Sequence, residues 1–168
     1  VLFLHGVNES AETLTVRRLA AAFTQAGASF HVLEQHGHGL SLECNGSEQT
    51  LGLITSFDEL VTHAIEACCQ ITMGKEQTPL VLMGHSMGAA IVACACKGAA
   101  TQLHARGARL ASAVFMAPPI GLEKQTAWIL HTALRAVAFA TPSLPIGPLE
   151  HPEMYCPPDV ESPGRNYD

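Results

Sequence analysis

The stretch Gly84-His85-Ser86-Met87-Gly88 contains the residues whose types and spacing are best suited to chemistry. Four apolar residues, 80–83, precede it and predict a short buried strand. The small residues 89–96 after it predict a helix that ends near Gly98. A serine flanked by glycines between a strand and a helix is typical of a nucleophile elbow. Such an elbow would expose the Ser86 hydroxyl for attack on an acyl carbonyl.

Steric demands explain why this turn would need glycine on both sides of the serine. A sharp strand-to-helix turn brings neighbouring chain close to Gly84 and Gly88, which have no Cβ to obstruct it. The helix would then present free N–H groups, beginning with that of Met87, and its positive dipole end to an oxyanion. The alternative is a tight turn in which Ser86 merely caps the helix.

Two upstream stretches complete a set of three motifs. Residues 1–6 contain an apolar strand followed by His-Gly, and residues 37–41 have the sequence Gly-His-Gly-Leu-Ser. With the elbow, these motifs resemble the α/β-hydrolase fold. Within it, they resemble the monoacylglycerol lipase and lysophospholipase branch, also called the serine aminopeptidase-like hydrolases. The resemblance covers most of the first 120 residues and departs from the family at Glu34, where aspartate is usual, and at Ala89, where glycine is usual.

The resemblance implies a role for each motif. His5 and Gly6 would begin the loop of the oxyanion hole, whose two main-chain donors would be the N–H groups of Val7 and Met87. His5 would be a structural residue of this loop. None of the motif histidines is expected to transfer protons, and the histidine inside the elbow should point away from the serine. The other structural residues would be those of the Gly-His-Gly turn, Gly37, His38 and Gly39.

The catalytic acid and base are not evident downstream of Ser86. In this fold they follow the serine in the order Asp or Glu and then His, each after a separate strand. Glu150 and His151 are adjacent, and Glu123 and His131 fall on one predicted helix, so neither pair fits. We therefore expect both groups to follow the last residue of this chain. Because the chain begins inside a strand and stops in a polar tract, we expect it to be truncated at both ends.

Alternating strand and helix patterns predict an α/β fold with a mostly parallel sheet and helices on both of its faces. A capping box of Ser56 and Glu59 starts one helix, and Ser10 is predicted to cap the helix that ends at Gly27. Because sites in such sheets lie at the carboxyl ends of the strands, all three motifs should meet at one edge. The predicted strands are 1–4, 29–33, 80–83 and 110–116.

The chain is predicted to divide into a core at 1–121 and a helical cap or lid region at 122–168. Residues 122–140 are nearly all helix formers and are apolar over most of the helix circumference. Such a helix either packs within a core or covers the site as a lid that contacts a lipid surface. The resemblance favours the cap, because the family inserts one after this strand.

Composition limits the classes of partner. A net charge of −6 without a basic patch argues against nucleic acid, and the chain has no apolar run long enough to span a membrane. The six cysteines lack the paired spacing of a zinc site, and neither a metal nor a cofactor is predicted. The expected location is cytoplasmic, with peripheral membrane contact through the lid as an option, and the oligomeric state stays open.

These features together predict a serine hydrolase of carboxylic esters that works through an acyl-enzyme on Ser86. The resemblance implies a monoacylglycerol or a lysophospholipid as the substrate. Small esters, thioesters and amides are alternative substrates. A non-catalytic protein of the same fold that binds a ligand or a partner is an alternative function.

Overall fold

Four parallel strands form the sheet that carries the elbow. The computed structural model describes residues 1–42, 54, 56–75 and 78–119. The predicted lid helix, and the cap region to which it belongs, lie outside the described residues. Along the chain, the elements are β1 Leu2–Leu4, α1 Leu14–Gln25, β2 His31–Leu33, a short 3-10 helix Gly39–Leu42, α2 Phe57–Ile71, β3 Pro79–His85, α3 Met87–Ala105 and β4 Arg109–Met116.

The strand order β2-β1-β3-β4 and its register bring the loops of the three motifs to one edge. Leu4, the last residue of β1, pairs with Leu33 in β2 and with Gly84 in β3. Because all pairs are parallel, the chain leaves these strands on the same side of the sheet. The predicted mostly parallel sheet is therefore confirmed, and its carboxyl edge carries the segments that follow β1, β2 and β3.

Helices cover both faces of this sheet, as predicted. Side chains of successive strand residues point to opposite faces, so Leu2 and Leu4 pack with α2 and α3, while Phe3 packs with α1. On the α1 face, the Phe30 ring stacks between the rings of Phe3 and Phe23, with centroid distances of 5.7 and 5.4 Å. The two cores hold β1 rigidly beneath the loop that follows it.

The start of α1 differs from the prediction. The N-cap is Thr13 rather than Ser10, and α1 begins at Leu14. Ser10 instead forms a turn, in which its hydroxyl accepts from the N–H of Glu12 and its carbonyl accepts from the N–H of Thr13. Serine favours such local turns as strongly as it favours helix caps, which is why the sequence pattern placed the start too early. The cap of α2 is confirmed, because Ser56 Oγ accepts from the Glu59 N–H.

The length of α3 also differs from the prediction. The helix does not end near Gly98 but continues to Ala105. A Cβ built on Gly98 would lie 2.8 Å from Ile65 Cδ1, so this glycine lets α2 and α3 approach each other closely. Packing between the two helices thus outweighs the low helix propensity of glycine. Within the described residues, none of the helices is long and apolar enough to cross a membrane.

Substitution by alanine should destabilise the protein much more at one glycine of α3 than at another. A Cβ on Gly98 meets only the end of a flexible isoleucine side chain, so we expect Gly98→Ala to change the free energy of unfolding by less than about 1 kcal/mol. A Cβ on Gly88 would collide with the main-chain carbonyl of Leu4, which cannot yield, so we expect Gly88→Ala to cost about 3 kcal/mol or more. Urea unfolding of the full-length variants measures both, and equal losses would contradict this packing.

Candidate active site

Ser86 occupies a strained turn between β3 and α3. Its backbone angles are φ 52° and ψ −116°, a region that residues with a Cβ rarely adopt and that costs about 1–3 kcal/mol. Hydrogen bonds on both sides hold it there: the Ser86 N–H donates to the Met116 carbonyl at 2.9 Å, and the Ser86 carbonyl accepts from the Ala89 N–H at 3.0 Å. The serine is thereby presented at the carboxyl edge of the sheet.

The two glycines that flank the serine are required by close approach of the main chain. A Cβ on Gly84 would lie 2.7 Å from the main-chain nitrogen of Ala89, and one on Gly88 would lie 2.7 Å from the carbonyl oxygen of His5. Real Cβ contacts are essentially never so short. The glycine spacing therefore lets the first turn of α3 pack directly on the ends of β3 and β1.

The Ser86 side chain does not serve as a helix cap. The residue occupies the N-cap position of α3, but its hydroxyl makes no capping hydrogen bond. This disfavours the alternative in which the serine merely starts the helix. Met87 is the first residue of α3, where main-chain N–H groups have no intrahelical acceptor and the helix dipole is positive.

The loop after β1 lies directly against the serine. A Cβ on Gly6 would be 3.1 Å from Ser86 Cβ, so even an alanine would crowd this contact. The Gly6 carbonyl accepts from His5 Nδ1 at 2.8 Å and from the Glu9 N–H at 3.3 Å. No described peptide bond is cis, so the Gly6–Val7 peptide is trans. In a trans peptide the carbonyl and the following N–H point in opposite directions. Holding the Gly6 carbonyl therefore also fixes the direction of the Val7 N–H.

His5 is fully buried, and main-chain groups occupy both of its ring nitrogens. The Gln35 N–H donates to Nε2 at 3.0 Å, which requires that Nδ1 carry the hydrogen it donates to Gly6. Burial lowers the pKa of His5 to about 4, so the ring is neutral near pH 7. A ring engaged in this way holds the loop and is not positioned to accept a proton from Ser86.

The Gly-His-Gly turn packs beneath His5. Gly37 and Gly39 adopt positive φ angles of 77° and 50°, which glycine allows without strain. The buried His38 ring lies 5.3 Å from the His5 ring between centroids, and Ser41 Oγ donates to the Gln35 carbonyl at 2.7 Å. The turn thus supports His5 from below and does not reach the serine through any hydrogen bond of the described residues.

Glu34 replaces the aspartate that is usual at its position and keeps a structural contact. Its Oε1 accepts from the Ala11 N–H at 2.7 Å, which ties β2 to the segment before α1. Burial raises the pKa of this carboxyl. The carboxylate also fills the space where Gly39 would carry a Cβ, so the glycine of the turn and the acid are matched to each other.

Sequence reasoning missed one acidic residue at this edge. Glu9 is buried, and its carboxylate contacts both Gly6, in the loop after β1, and His85, the last residue of β3. One feature of the sequence could have indicated Glu9: it stands three residues after the glycine of the His-Gly pair, a spacing that closes a turn.

His104, the described histidine downstream of the serine, lies near the far end of α3, about 25 Å along the helix from Met87. It cannot act as the base for Ser86.

A cavity of about 280 Å³ opens at the opposite edge of the sheet. It is lined by residues at the amino ends of β1 and β3, including Val1 and Pro79, and by Lys75 after α2. The seven-residue strand β3 separates this cavity from Ser86. The described ranges hold no group of three or more His, Cys, Asp or Glu side chains that could bind a metal ion.

The buried neutral state of His5 predicts a pH dependence of stability. The folded-state pKa of about 4 lies below the ordinary value of 6.5, so the unfolded chain binds a proton first as pH falls. The stabilisation is complete above pH 6.5 and is lost progressively towards pH 4, to the extent of about 3 kcal/mol. Urea titrations of the full-length protein should show a smaller loss over this interval in His5→Asn. His63→Asn, on the exposed surface of α2, controls for removal of a histidine, and equal slopes in all three proteins would contradict the assignment.

Comparison with known proteins supports the interpretation of the motifs. A family model described as "Serine aminopeptidase, S33" matches residues 1–161, which is nearly the whole chain. No curated protein and no solved structure matches the chain significantly. Since the match spans the sheet, the elbow and the loops at its edge, the chain belongs to the serine aminopeptidase (S33) family of α/β-hydrolases.

Proposed function

We propose that the protein is a serine hydrolase that cleaves carboxylic esters, with Ser86 as the nucleophile and the N–H groups of Val7 and Met87 as the oxyanion hole. The observation that carries this proposal is the strained backbone of Ser86, which presents a hydroxyl without a capping bond directly beside the Gly6 loop. Backbone strain of this kind persists only where surrounding packing enforces it, and it is concentrated at functional sites. Membership of a hydrolase family supports the same conclusion.

The reaction would proceed in two steps through an acyl-enzyme. Ser86 Oγ attacks the ester carbonyl, its proton passes to a general base, and the tetrahedral oxyanion lies between the two main-chain donors. Collapse of this intermediate breaks the ester bond, and the departing alcohol takes the proton from the base. Water, deprotonated by the same base, then attacks the acyl-enzyme, which releases the acid and returns the proton to Ser86 Oγ. Within the described residues, no histidine makes a hydrogen bond to Ser86. We propose that the base and its acidic partner lie outside the described residues.

The finer proposal is that the substrate is a lipid ester of the monoacylglycerol or lysophospholipid class. Two large apolar side chains support it: Val7, 49% exposed, follows β1, and Leu40, 57% exposed, follows β2. Val7 lies in the loop after β1 and Leu40 in the short 3-10 helix after β2, so both follow strands that end at the carboxyl edge, as Ser86 does. Exposed apolar side chains around a nucleophile favour contact with an acyl chain over contact with a short polar substrate.

Covalent labelling tests the proposed nucleophile. We expect a fluorescent fluorophosphonate to label the full-length protein and Ser112→Ala, a change of an exposed serine in β4, at the same rate. Ser86→Ala should not be labelled, because the phosphonyl group forms its bond with the activated hydroxyl. Peptide mapping by mass spectrometry identifies the modified residue. A full-length protein that resists labelling would favour a non-catalytic binding protein of this fold.

Substrate preference tests the proposed substrate class. We expect kcat/KM of the full-length protein for p-nitrophenyl esters to rise by about tenfold or more from the acetyl to the octanoyl ester, because each additional buried CH₂ contributes about 0.8 kcal/mol at most. Monoacylglycerol and lysophospholipid should both be hydrolysed. A preference for acetyl esters, acyl thioesters or amides would reject the lipid substrate while leaving the serine mechanism intact.

A further inference from the structure

The carboxylate of Glu9 links the loop after β1 to the end of β3, next to the two proposed oxyanion donors. Glu9 is buried, with 8% of its surface exposed, and a single oxygen, Oε2, accepts two hydrogen bonds. One comes from the Gly6 N–H at 2.5 Å and the other from His85 Nδ1 at 2.8 Å. Gly6 follows β1 and His85 ends β3, so a side chain from one loop joins both strand ends.

The first of these bonds helps to close the turn that carries Val7. The Glu9 N–H donates to the Gly6 carbonyl at 3.3 Å while the Glu9 side chain accepts from the Gly6 N–H, so the turn is held from both sides. Asn8, with φ 59°, provides the left-handed residue that this tight turn requires. Because the Gly6 N–H is already engaged by Glu9, it is not available to an oxyanion, which is consistent with Val7 as the proposed donor of this loop.

The second bond reaches the residue that precedes the nucleophile. A carboxylate oxygen can only accept, so Nδ1 of His85 carries the hydrogen of this bond. His85 is half-buried and directly adjoins Ser86, which in turn adjoins Met87. Through the hydrogen bond between Glu9 and His85, which are 76 positions apart, a chain of contacts therefore connects the Val7 peptide to the Met87 peptide.

We infer that Glu9 is a positioning residue for catalysis, which sets the separation of the Val7 and Met87 donors by tying the loop after β1 to His85. The inference rests on the proposed function of Ser86 and Val7. A buried carboxylate that accepts both hydrogen bonds fixes the distance between the Gly6 loop and His85 more strictly than apolar packing would. Breaking either bond would leave the Gly6 N–H or His85 Nδ1 without its partner. Misplacement of a catalytic group by about 1 Å can cost roughly a hundredfold in rate, so such a link is well suited to an oxyanion hole.

Substitutions at Glu9 separate positioning from packing. Glu9→Met keeps the volume but removes the acceptor, whereas Glu9→Gln keeps one oxygen that can accept both hydrogen bonds. With p-nitrophenyl butyrate and the full-length protein, we expect Glu9→Met to lower kcat by about 30–100-fold with KM changed by less than about threefold. We expect Glu9→Gln to retain kcat within about fivefold of the wild type. Glu66→Gln, an exposed carboxylate on α2, is the matched control for loss of a negative charge.

Variants of His85 test the other end of the link and remain informative if Glu9→Met does not fold. His85→Asn keeps a donor near the position of Nδ1 and should be nearly as active as the wild type, whereas His85→Leu should lower kcat by about tenfold. Since both residues act through one bond, the double variant Glu9→Met/His85→Leu should lose little more than Glu9→Met alone.

Three outcomes would overturn the inference. They are an unchanged kcat in Glu9→Met, equal losses in Glu9→Met and Glu9→Gln, and losses that multiply fully in the double variant. Fluorophosphonate labelling distinguishes this failure from failure of the proposed function. If the wild type is labelled at Ser86 and Glu9→Met is labelled equally fast, only the role of Glu9 is wrong. If the wild type is not labelled, the proposed function itself fails.

Discussion

The close approach between the first turn of α3 and the end of β1 is the contact on which the rest of the site depends. Gly88 touches the carbonyls of Leu4 and His5, and no residue with a Cβ could take its place. This contact draws Ser86 into its left-handed conformation and brings the Gly6 loop against it. The backbone geometry of Ser86 is therefore a consequence of main chain packed on main chain, with the side chains of the two cores holding both elements in place.

A layer of buried and half-buried polar side chains lies beneath the loops at the carboxyl edge. His5, Glu9 and Glu34 each bind main-chain N–H or carbonyl groups that the ends of the strands leave unsatisfied. Such loops cannot be held by apolar packing alone, because their main-chain groups would lose water without gaining a partner. Within the described residues, Glu34 Oε2, Gln35 Nε2 and His38 Nε2 are buried without a hydrogen bond, so the polar atoms of this layer are not all paired.

Differences between the predicted and observed elements have one physical origin. The cap of α2 was predicted correctly because a capping box is a local interaction that needs no distant partner. Ser10 and Gly98 were misjudged because each local signal has two uses. A serine can form a turn or cap a helix, and a glycine can let two helices approach closely or end a helix. In both cases contacts with neighbouring elements decided which of the two structures formed.

The sequence by itself determined the family, the parallel α/β architecture and the place of the elbow, because strand, glycine and helix signals are adjacent along the chain. It also identified the loop that adjoins Ser86, through the His-Gly pair. Only the tertiary structure decided which side chain joins the loop after β1 to the end of β3. Glu9 and His85 are separated by 76 positions, and nothing local to either residue specifies their hydrogen bond. That contact exists because β1 and β3 are neighbours in a parallel sheet and end at the same edge.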